Sequence, residues 1–274
     1  MTDFKKKGLI LHYTVLLLGA IIFIMPLVWL ISGSLKSQAD IVCGNFFPSK
    51  LHWENYKKAV SVIPFFRYAL NTLTITILSI IGACLANPFV GFSFARLNFP
   101  AKNLLFILVL STMMLPPQVT MIPLFIIFRN LGWVNTFKPL WVITFFGSAF
   151  FIFLSRQYLK TLPQELIDAA KIDGCNYWQI YWKIIVPLLR PLLITIVIFQ
   201  FIASWNDFMG PLIYLNSEKL MTLSVGLQVF QSNHSTDLNL LMAASTLMTL
   251  PIIIIFVFFQ NYMVENMTLS GIKG

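Results

Sequence analysis

A chain of 274 residues that is 58% hydrophobic and only 11% charged holds more apolar mass than a water-soluble core of that size buries. An ordinary soluble domain is excluded, and a polytopic membrane protein is expected. The formal charge of +9 comes without a basic stripe interleaved with aromatics on a polar domain, so it reads as anionic-lipid contact and topology rather than nucleic-acid binding.

At the N-terminus, Lys5-Lys6-Lys7 followed by apolar residues resembles a signal peptide. The run from Gly8 to Leu35 has no Ala-x-Ala exit and is too long for a signal core, so a retained anchor is expected. Crossing roughly 30 Å of hydrocarbon takes about 20 apolar residues. Nearly charge-free windows fall at Gly8 to Leu35, Tyr68 to Ala95, Asn103 to Phe128, Pro139 to Ser155, Pro191 to Asp207, and Leu238 to Val264. The fourth and fifth lengthen once Arg156 and Arg190 snorkel. The expectation is an all-α membrane protein with six transmembrane helices and both termini on one side. No internal repeat or Gly/Ser linker interrupts residues 1–274, which read as one domain. Cys43, Cys84 and Cys175 fall at different depths of this topology and cannot pair. His12, His52 and His234 are isolated, and no Cys/His cluster has metal-ligand spacing.

Between Ser34 and Arg67 lies an amphipathic outer loop with Phe46-Phe47-Pro48, Trp53-Glu54-Asn55-Tyr56 and Ile63-Pro64-Phe65-Phe66, expected to lie on the membrane surface. Because this loop keeps Lys36, Lys50, Lys57, Lys58 and Arg67, the excess of Lys and Arg on the inner side is weak. The next inner turn reads Phe94-Ala95-Arg96-Leu97-Asn98-Phe99-Pro100. The third window breaks at Pro116-Pro117, where two amide donors are lost. Either the break borders a translocation path, where a cavity satisfies the freed carbonyls, or a helix simply ends near the outer surface before Arg129.

Thr161 to Pro191 is the longest polar island. Thr161 with Gln164 reads as a capping box, and Pro163 is tolerated in the first turn. Leu166, Ile167, Ala169, Ala170 and Ile172 form a compact apolar side, with Glu165, Asp168 and Asp173 as acids near the helix start. Gly174 ends the helix in the manner of a C′ glycine. Bulk at Gly174 would push the two loop helices apart. After it, Tyr177, Trp178, Tyr181 and Trp182 are expected to share one face, and Pro187 and Pro191 close the unit. By periodicity alone, this is an amphipathic loop lying on a membrane surface.

The fifth window ends in Trp205-Asn206-Asp207-Phe208, where an ionisable residue at a span end is a candidate site. The motif resembles one at the same place in carbohydrate permeases, which implies that Asn206 and Asp207 hydrogen-bond sugar hydroxyls with Trp205 or Phe208 offering a ring face; equally, they can cap the helix and hold an outer gate. The loop from Leu212 to Asn239, with Ser232-Asn233-His234-Ser235-Thr236-Asp237, faces outward. In the last window, Ala243-Ala244-Ser245 allows close helix approach. There is no G-x-x-x-x-G-K-[ST], G-x-S-x-G or H-E-x-x-H in the chain, so bond-making chemistry is not expected and any driving energy comes from another polypeptide. An ion-coupled secondary transporter would need ionisable residues near the bilayer midplane, and none lies in the middle of a window. An intramembrane enzyme would need a catalytic pair facing a cavity, and none stands out.

Asp168-Ala169-Ala170, then Gly174, Ile184 and Pro187 resemble the cytoplasmic "EAA" loop of permease subunits of ABC importers, Glu-Ala-Ala-x3-Gly-x9-Ile-x-Leu-Pro, with Asp168 for the leading Glu and Val186 for the Leu. The Arg67 to Thr72 entry and the Arg96 turn resemble the same family, and Ile172-Asp173-Gly174 and the Ser270 to Gly274 tail resemble its carbohydrate branch. The resemblance implies a type I permease fold with its core at about 67–264, in a bacterial cell membrane with both termini cytoplasmic. It implies a coupling helix from Glu165 to Asp173 and a sugar handed over by an extracytoplasmic binding protein. A second homologous permease and two ATP-binding cassette subunits are implied as partners; those subunits hold the ATP, and the chain itself carries no cofactor. A permease for glycerol phosphate, an amino acid or a peptide is the alternative within the same class.

Overall fold

The computed structural model describes the backbone of residues 2–232 and 237–271 and the side chains of 12–231 and 237–260. The Lys5–Lys7 side chains, His234 with residues 233–236, and Ile272-Lys273-Gly274 lie outside the described residues, with the expectations attached to them. Every regular element among the described residues is helical. The principal helices are α1 (Thr2–Ser34), α2 (Phe65–Arg96), α3 (Lys102–Ser111), α4 (Pro117–Asn130), α5 (Ala149–Thr161), α6 (Glu165–Ile172), α7 (Tyr177–Leu188), α8 (Arg190–Trp205), α9 (Met209–Tyr214) and α10 (Leu238–Gly271).

Among the described residues, four stretches are long and apolar enough to cross a bilayer: His12–Ser34, Phe65–Arg96, Lys138–Thr161 and Leu238–Gln260. The third sequence window is broken within its length, and the fifth begins at a bend. Lys102–Met114 meets α4 at 100°, and α7 meets α8 at 75°. Counting each bent pair as one span restores six. The causes are prolines. Pro116 is extended at φ −60°, ψ 136°, and Pro117 opens α4. Lys102–Met114 rises only about 20 Å, less than a hydrocarbon core. At the second bend, Pro187 and Pro191 each lack a donor, and the Tyr158 hydroxyl donates to the Leu188 carbonyl at 3.2 Å.

Two compact units are distinguished, Met1–Phe66 with Gly226–Pro251, and Arg67–Val225 with Ile252–Gly274. In the first, residues 35–66 fold back onto the end of α1. Buried Asn55 donates to the carbonyls of Ser34 at 2.9 Å and Lys36 at 2.8 Å, which the helix leaves unpaired. Tyr56 hydroxyl meets Ser34 Oγ at 2.6 Å. Lys36 is buried with its ammonium 4.4 Å from the Trp29 ring centroid. Gly33 lies so close to Met242 that a side chain there would collide with its sulfur.

In the second unit, α2 is the central helix. Thr72, Thr76, Ser79, Ala83 and Asn87 recur every three or four residues and are all fully buried, as small side chains on a close-packed seam are. Gly91 continues the contact, since a Cβ there would reach Ser155 Cβ at 2.5 Å. A hydrophobic core runs along this helix through Phe92, Phe151, Leu159, Leu192 and Ile196. Its lower end is closed by Ile167, Ala170, Ile180, Tyr181, Ile185 and Leu189 from the polar island.

Candidate functional site

The polar island folds as α6 and α7 joined by a tight turn. α6 starts at Glu165, with Glu165 and Asp168 in its first turn, where the dipole favours them. The expected capping box does not form. Thr161 is the last residue of α5, and its hydroxyl donates to the Tyr158 carbonyl. Gln164 occupies the N-cap position without a capping bond. A capping box appears twelve residues later. Asn176 Oδ1 accepts from the Gln179 amide at 2.9 Å, and Gln179 Oε1 accepts from the Asn176 amide at 3.0 Å.

Gly174 does end α6. Its φ of +82° lets its amide bond the Lys171 carbonyl and the Cys175 amide bond the Ala170 carbonyl, the paired pattern of a Schellman turn. Nothing lies within 4 Å of where a Gly174 Cβ would sit, so the demand is for backbone conformation and not for room between the two helices. Asp173 is at the C-cap, not near the helix start; an acid there faces the negative end of the dipole, with Lys171 as the basic residue of the same turn.

The apolar side of α6 is split. Ile167 and Ala170 are buried in the core at 1% and 4% exposure, while Leu166, Ala169 and Ile172 are exposed, Ile172 at 87%. Asp168 and Glu165 are exposed beside them. Of the four rings only Tyr177 leaves the cluster; the other three touch, Trp178 on Phe89 at 5.9 Å and Trp182 on Tyr181 at 5.1 Å between centroids, but differ in burial. Tyr181 is buried against Phe89 and Phe92, both at 5.3 Å between centroids. Trp178 and Trp182 pack on each other at 5.7 Å and stay exposed. Tyr177 turns away to Lys171, whose ammonium is 4.9 Å from its ring centroid. The segment Ile180–Ile185 is wound as a π-helix, which breaks the 3.6-residue spacing on which a single aromatic face depends. Pro187 follows this wide turn, exposed.

Arg96, at the end of α2, fastens this loop. One guanidinium nitrogen donates to the carbonyls of Leu159, at 2.6 Å, and Leu162, satisfying the free end of α5. The other donates to Gln164 Oε1 at 2.6 Å. Gln164 Nε2 then donates to Asp168 Oδ1 at 3.2 Å. A relay Arg96–Gln164–Asp168 thus joins a spanning helix to the acidic turn of α6. The Phe94 to Pro100 turn marks Arg96 in the sequence, but its partners, more than sixty residues away, leave no local pattern.

The second candidate cluster follows α8. Trp205 is buried and stacked on Phe201 at 5.3 Å and 14°, so its ring faces Phe201. Asn206 is exposed and donates back to the Ile202 carbonyl at 3.0 Å. Asp207 Oδ1 accepts from the Gly210 amide at 3.1 Å, bracing the start of α9. Burial pushes its carboxyl above the ordinary aspartate range, with amide donation from Gly210 and Met209 pulling the other way. Phe208 is half-buried. Around this point Ser224 Oγ donates to the Asp207 carbonyl. Asn71 donates to the carbonyls of Lys219 and Met221, and Thr72 Oγ1 accepts from the Leu223 amide. Asn135, in a left-handed conformation, accepts from the amides of Asn216 and Ser217. The structure brings Asp207 into a pinned loop with these residues. Pro116 and Pro117 are exposed at the bend opening α4.

Residues 87–268 match the family described as binding-protein-dependent transport system inner membrane component. The chain is 31% identical over 262 residues to the arabinooligosaccharides transport system permease protein AraQ of Bacillus subtilis, covering 93% of this chain and 92% of that one. It is 28% identical to the melibiose/raffinose/stachyose import permease protein MelC of the same organism, covering 91% of each. With the lactose transport system permease protein LacG of Rhizobium radiobacter it shares 29% identity over 96% of both. A crystal structure of a bacterial ABC transporter involved in the import of the acidic polysaccharide alginate superposes with a TM-score of 0.80 at 23% identity, covering 94% of this chain and 96% of that one, which shows a common fold. A proline-bent helical bundle whose Ala-Ala-x3-Gly loop hangs from the ends of α2 and α5 thus belongs to the binding-protein-dependent transport system inner membrane component family, the permeases of ABC importers.

Proposed function

We propose that this permease carries a sugar, as a mono- or oligosaccharide or a derivative, and that α6 is the handle by which separate ATPase subunits move it. The observation that carries the reading is the division of α6. Ile167 and Ala170 belong to the core that continues into α2, α5 and α8, while Leu166, Ala169 and Ile172 are left exposed between acids. Exposed apolar side chains on a short polar-flanked helix mark a contact surface. Small Ala169 permits close approach, and Asp168, held by Gln164, is its charged contact. A helix gripped from outside moves α2, α5 and α8 with it, because packed cores shift as units.

On this reading the loop and both termini are cytoplasmic, and ATP is held by the two partner ATPases. A second, homologous permease completes the path, and an extracytoplasmic binding protein delivers the cargo. The sugar assignment is supported by the relatives named for arabinooligosaccharides, melibiose and lactose. Asp207 and its pinned loop act as an outer gate brace, and the Pro116-Pro117 bend borders the path.

The test is uptake of labelled sugars by cells carrying the whole transporter, comparing the natural chain with Ile172→Glu. A buried charge at a docking helix should cost at least about 3 kcal/mol, or more than a hundredfold in coupling, while membrane insertion stays normal. Undiminished uptake by Ile172→Glu would refute the handle, and no uptake of any sugar by the natural chain would refute the cargo.

A further inference from the structure

At the end of the bundle that carries α6, the chain from Phe94 to Leu104 and the last turns of α5 enclose an open cavity of about 540 Å³. Three cations line it, Lys102, Arg156 and Lys160, together with the amides of Asn98 and Asn103, and no carboxylate does. The only ion pair among the described residues is His52–Glu54, elsewhere in the chain. Two of the three cations are positioned by the protein itself. Lys102 Nζ donates to the Leu97 carbonyl at 2.6 Å. Arg156 donates to the Phe94 carbonyl at 3.3 Å, with its guanidinium 4.0 Å from the Phe106 ring centroid. Three like charges held around one cavity repel each other unless an anion joins them.

Two further features point the same way. Ala101 stands in the left-handed region at φ +57° and gives the start of α3 no side-chain cap. The first turn of that helix, Lys102 to Leu104, lines the cavity, and an uncapped helix start favours an anion through its free amides and dipole. The cavity also opens along an apolar wall. Phe99 and Leu104 line it, and beyond them on α3 Leu104, Leu105 and Leu108 stand exposed at 59%, 44% and 53%, an apolar surface suited to acyl chains.

We propose that this cavity binds a phosphate ester, with Lys102, Arg156 and Lys160 as its counter-charges, and that the apolar wall makes an anionic phospholipid headgroup the favoured source over a soluble phosphate. Basic clefts between spanning helices select such headgroups. Bound there, the phosphate bridges the start of α3 and the last turns of α5 beside the turn that follows Arg96. The inference is independent of which solute the permease carries.

The test is native mass spectrometry on the full chain, delipidated in neutral detergent and titrated with phosphatidylglycerol, phosphatidylcholine or inorganic phosphate. Phosphatidylglycerol should bind at least about tenfold more tightly than phosphatidylcholine, and Lys160→Gln, whose side chain holds no internal bond that the fold needs, should weaken it about fivefold. The double variant Lys102→Gln/Lys160→Gln should erase the preference, with thermal unfolding reporting that the chain stays folded. Displacement by millimolar inorganic phosphate would keep the site and make its source soluble; resistance to it makes the source lipid. Equal retention of the two lipids by the natural chain, or an unchanged preference in folded Lys160→Gln and the double variant, overturns the proposal.

Discussion

Asn87, fully buried in α2, accepts the backbone N–H of Ser148 at 2.7 Å while its own amide donates to the Ala83 carbonyl at 2.7 Å. Between Lys138 and Thr161 the chain runs as a short helix, a 3₁₀ turn through Phe146, and then α5, with Gly147 at φ +86° between them. That break leaves amides unpaired inside an apolar window, and a polar side chain from the neighbouring helix supplies the cap.

Asn87→Leu should therefore loosen the start of α5. The loss is about 1 kcal/mol, since hydrogen bonds between spanning helices are modest in net worth. Thermal unfolding in detergent should show a lower midpoint, and hydrogen exchange should rise at residues 148–152 ahead of the rest of α5. A uniform rise along α5 would mean that the bond does not act as a cap.

The relay from Arg96 makes a second prediction. A lysine at this position keeps the charge but has no planar fork to reach Leu159, Leu162 and Gln164 together. Arg96→Lys should release the start of α6 at a cost of about 1.5–3 kcal/mol, the range for hydrogen bonds to a charged group. In the assembled transporter the ratio of sugar moved to ATP hydrolysed should fall while hydrolysis itself persists. Gln164→Leu should give a weaker form of the same defect. A normal ratio in Arg96→Lys would show that the relay is structural only.

What the sequence made legible, and what it hid, follows from where the information lies. The apolar windows identify the spans because hydrocarbon imposes a length on them. Pro116-Pro117 announced its bend, because the lost donors belong to the residues themselves. Gly174 announced the end of α6 for the same reason. By contrast, Leu166, Ile167, Ala169, Ala170 and Ile172 are all apolar, and a two-turn helix with five such residues does not declare which of them face its own core and which face a partner. Arg96, Asn87, Asn71 and Asn135 all satisfy backbone groups distant in sequence, and no local spacing encodes such partners. The aromatic spacing was legible for Trp178, Tyr181 and Trp182, which touch; it did not tell that Tyr177 leaves them for Lys171 or that Ile180–Ile185 is wound wider than an α-helix.

Gly174 separates conformation from space. A β-branched residue at φ +82° carries about 1–2 kcal/mol of strain or more, whereas asparagine enters the left-handed region more readily. Gly174→Val should lower the thermal midpoint and abolish most uptake. Gly174→Asn should fold normally and keep most uptake, since no described residue stands within 4 Å of where its Cβ would sit. If valine and asparagine prove equally harmful, the requirement at this position is the absence of any side chain against a partner, not the turn.

Asp207 gives the pH dependence. Its carboxyl lies outside the spanning helices, and burial raises its pKa above the ordinary value of 3.8. The folded state then holds the proton to a higher pH than the unfolded one, so stability falls as pH rises from about 4 through the folded pKa. Above that window the ionised carboxylate is a cost that the amides of Gly210 and Met209 offset only in part. Asp207→Asn keeps an acceptor for Gly210 and cannot ionise. It should melt no lower than the natural chain at pH 7, and the slope of its midpoint between pH 4 and 6 should flatten relative to the natural protein. An identical slope in both would show that Asp207 does not titrate differently on folding, and a large drop at pH 7 would show that its charge, rather than its acceptor oxygen, holds the pinned loop.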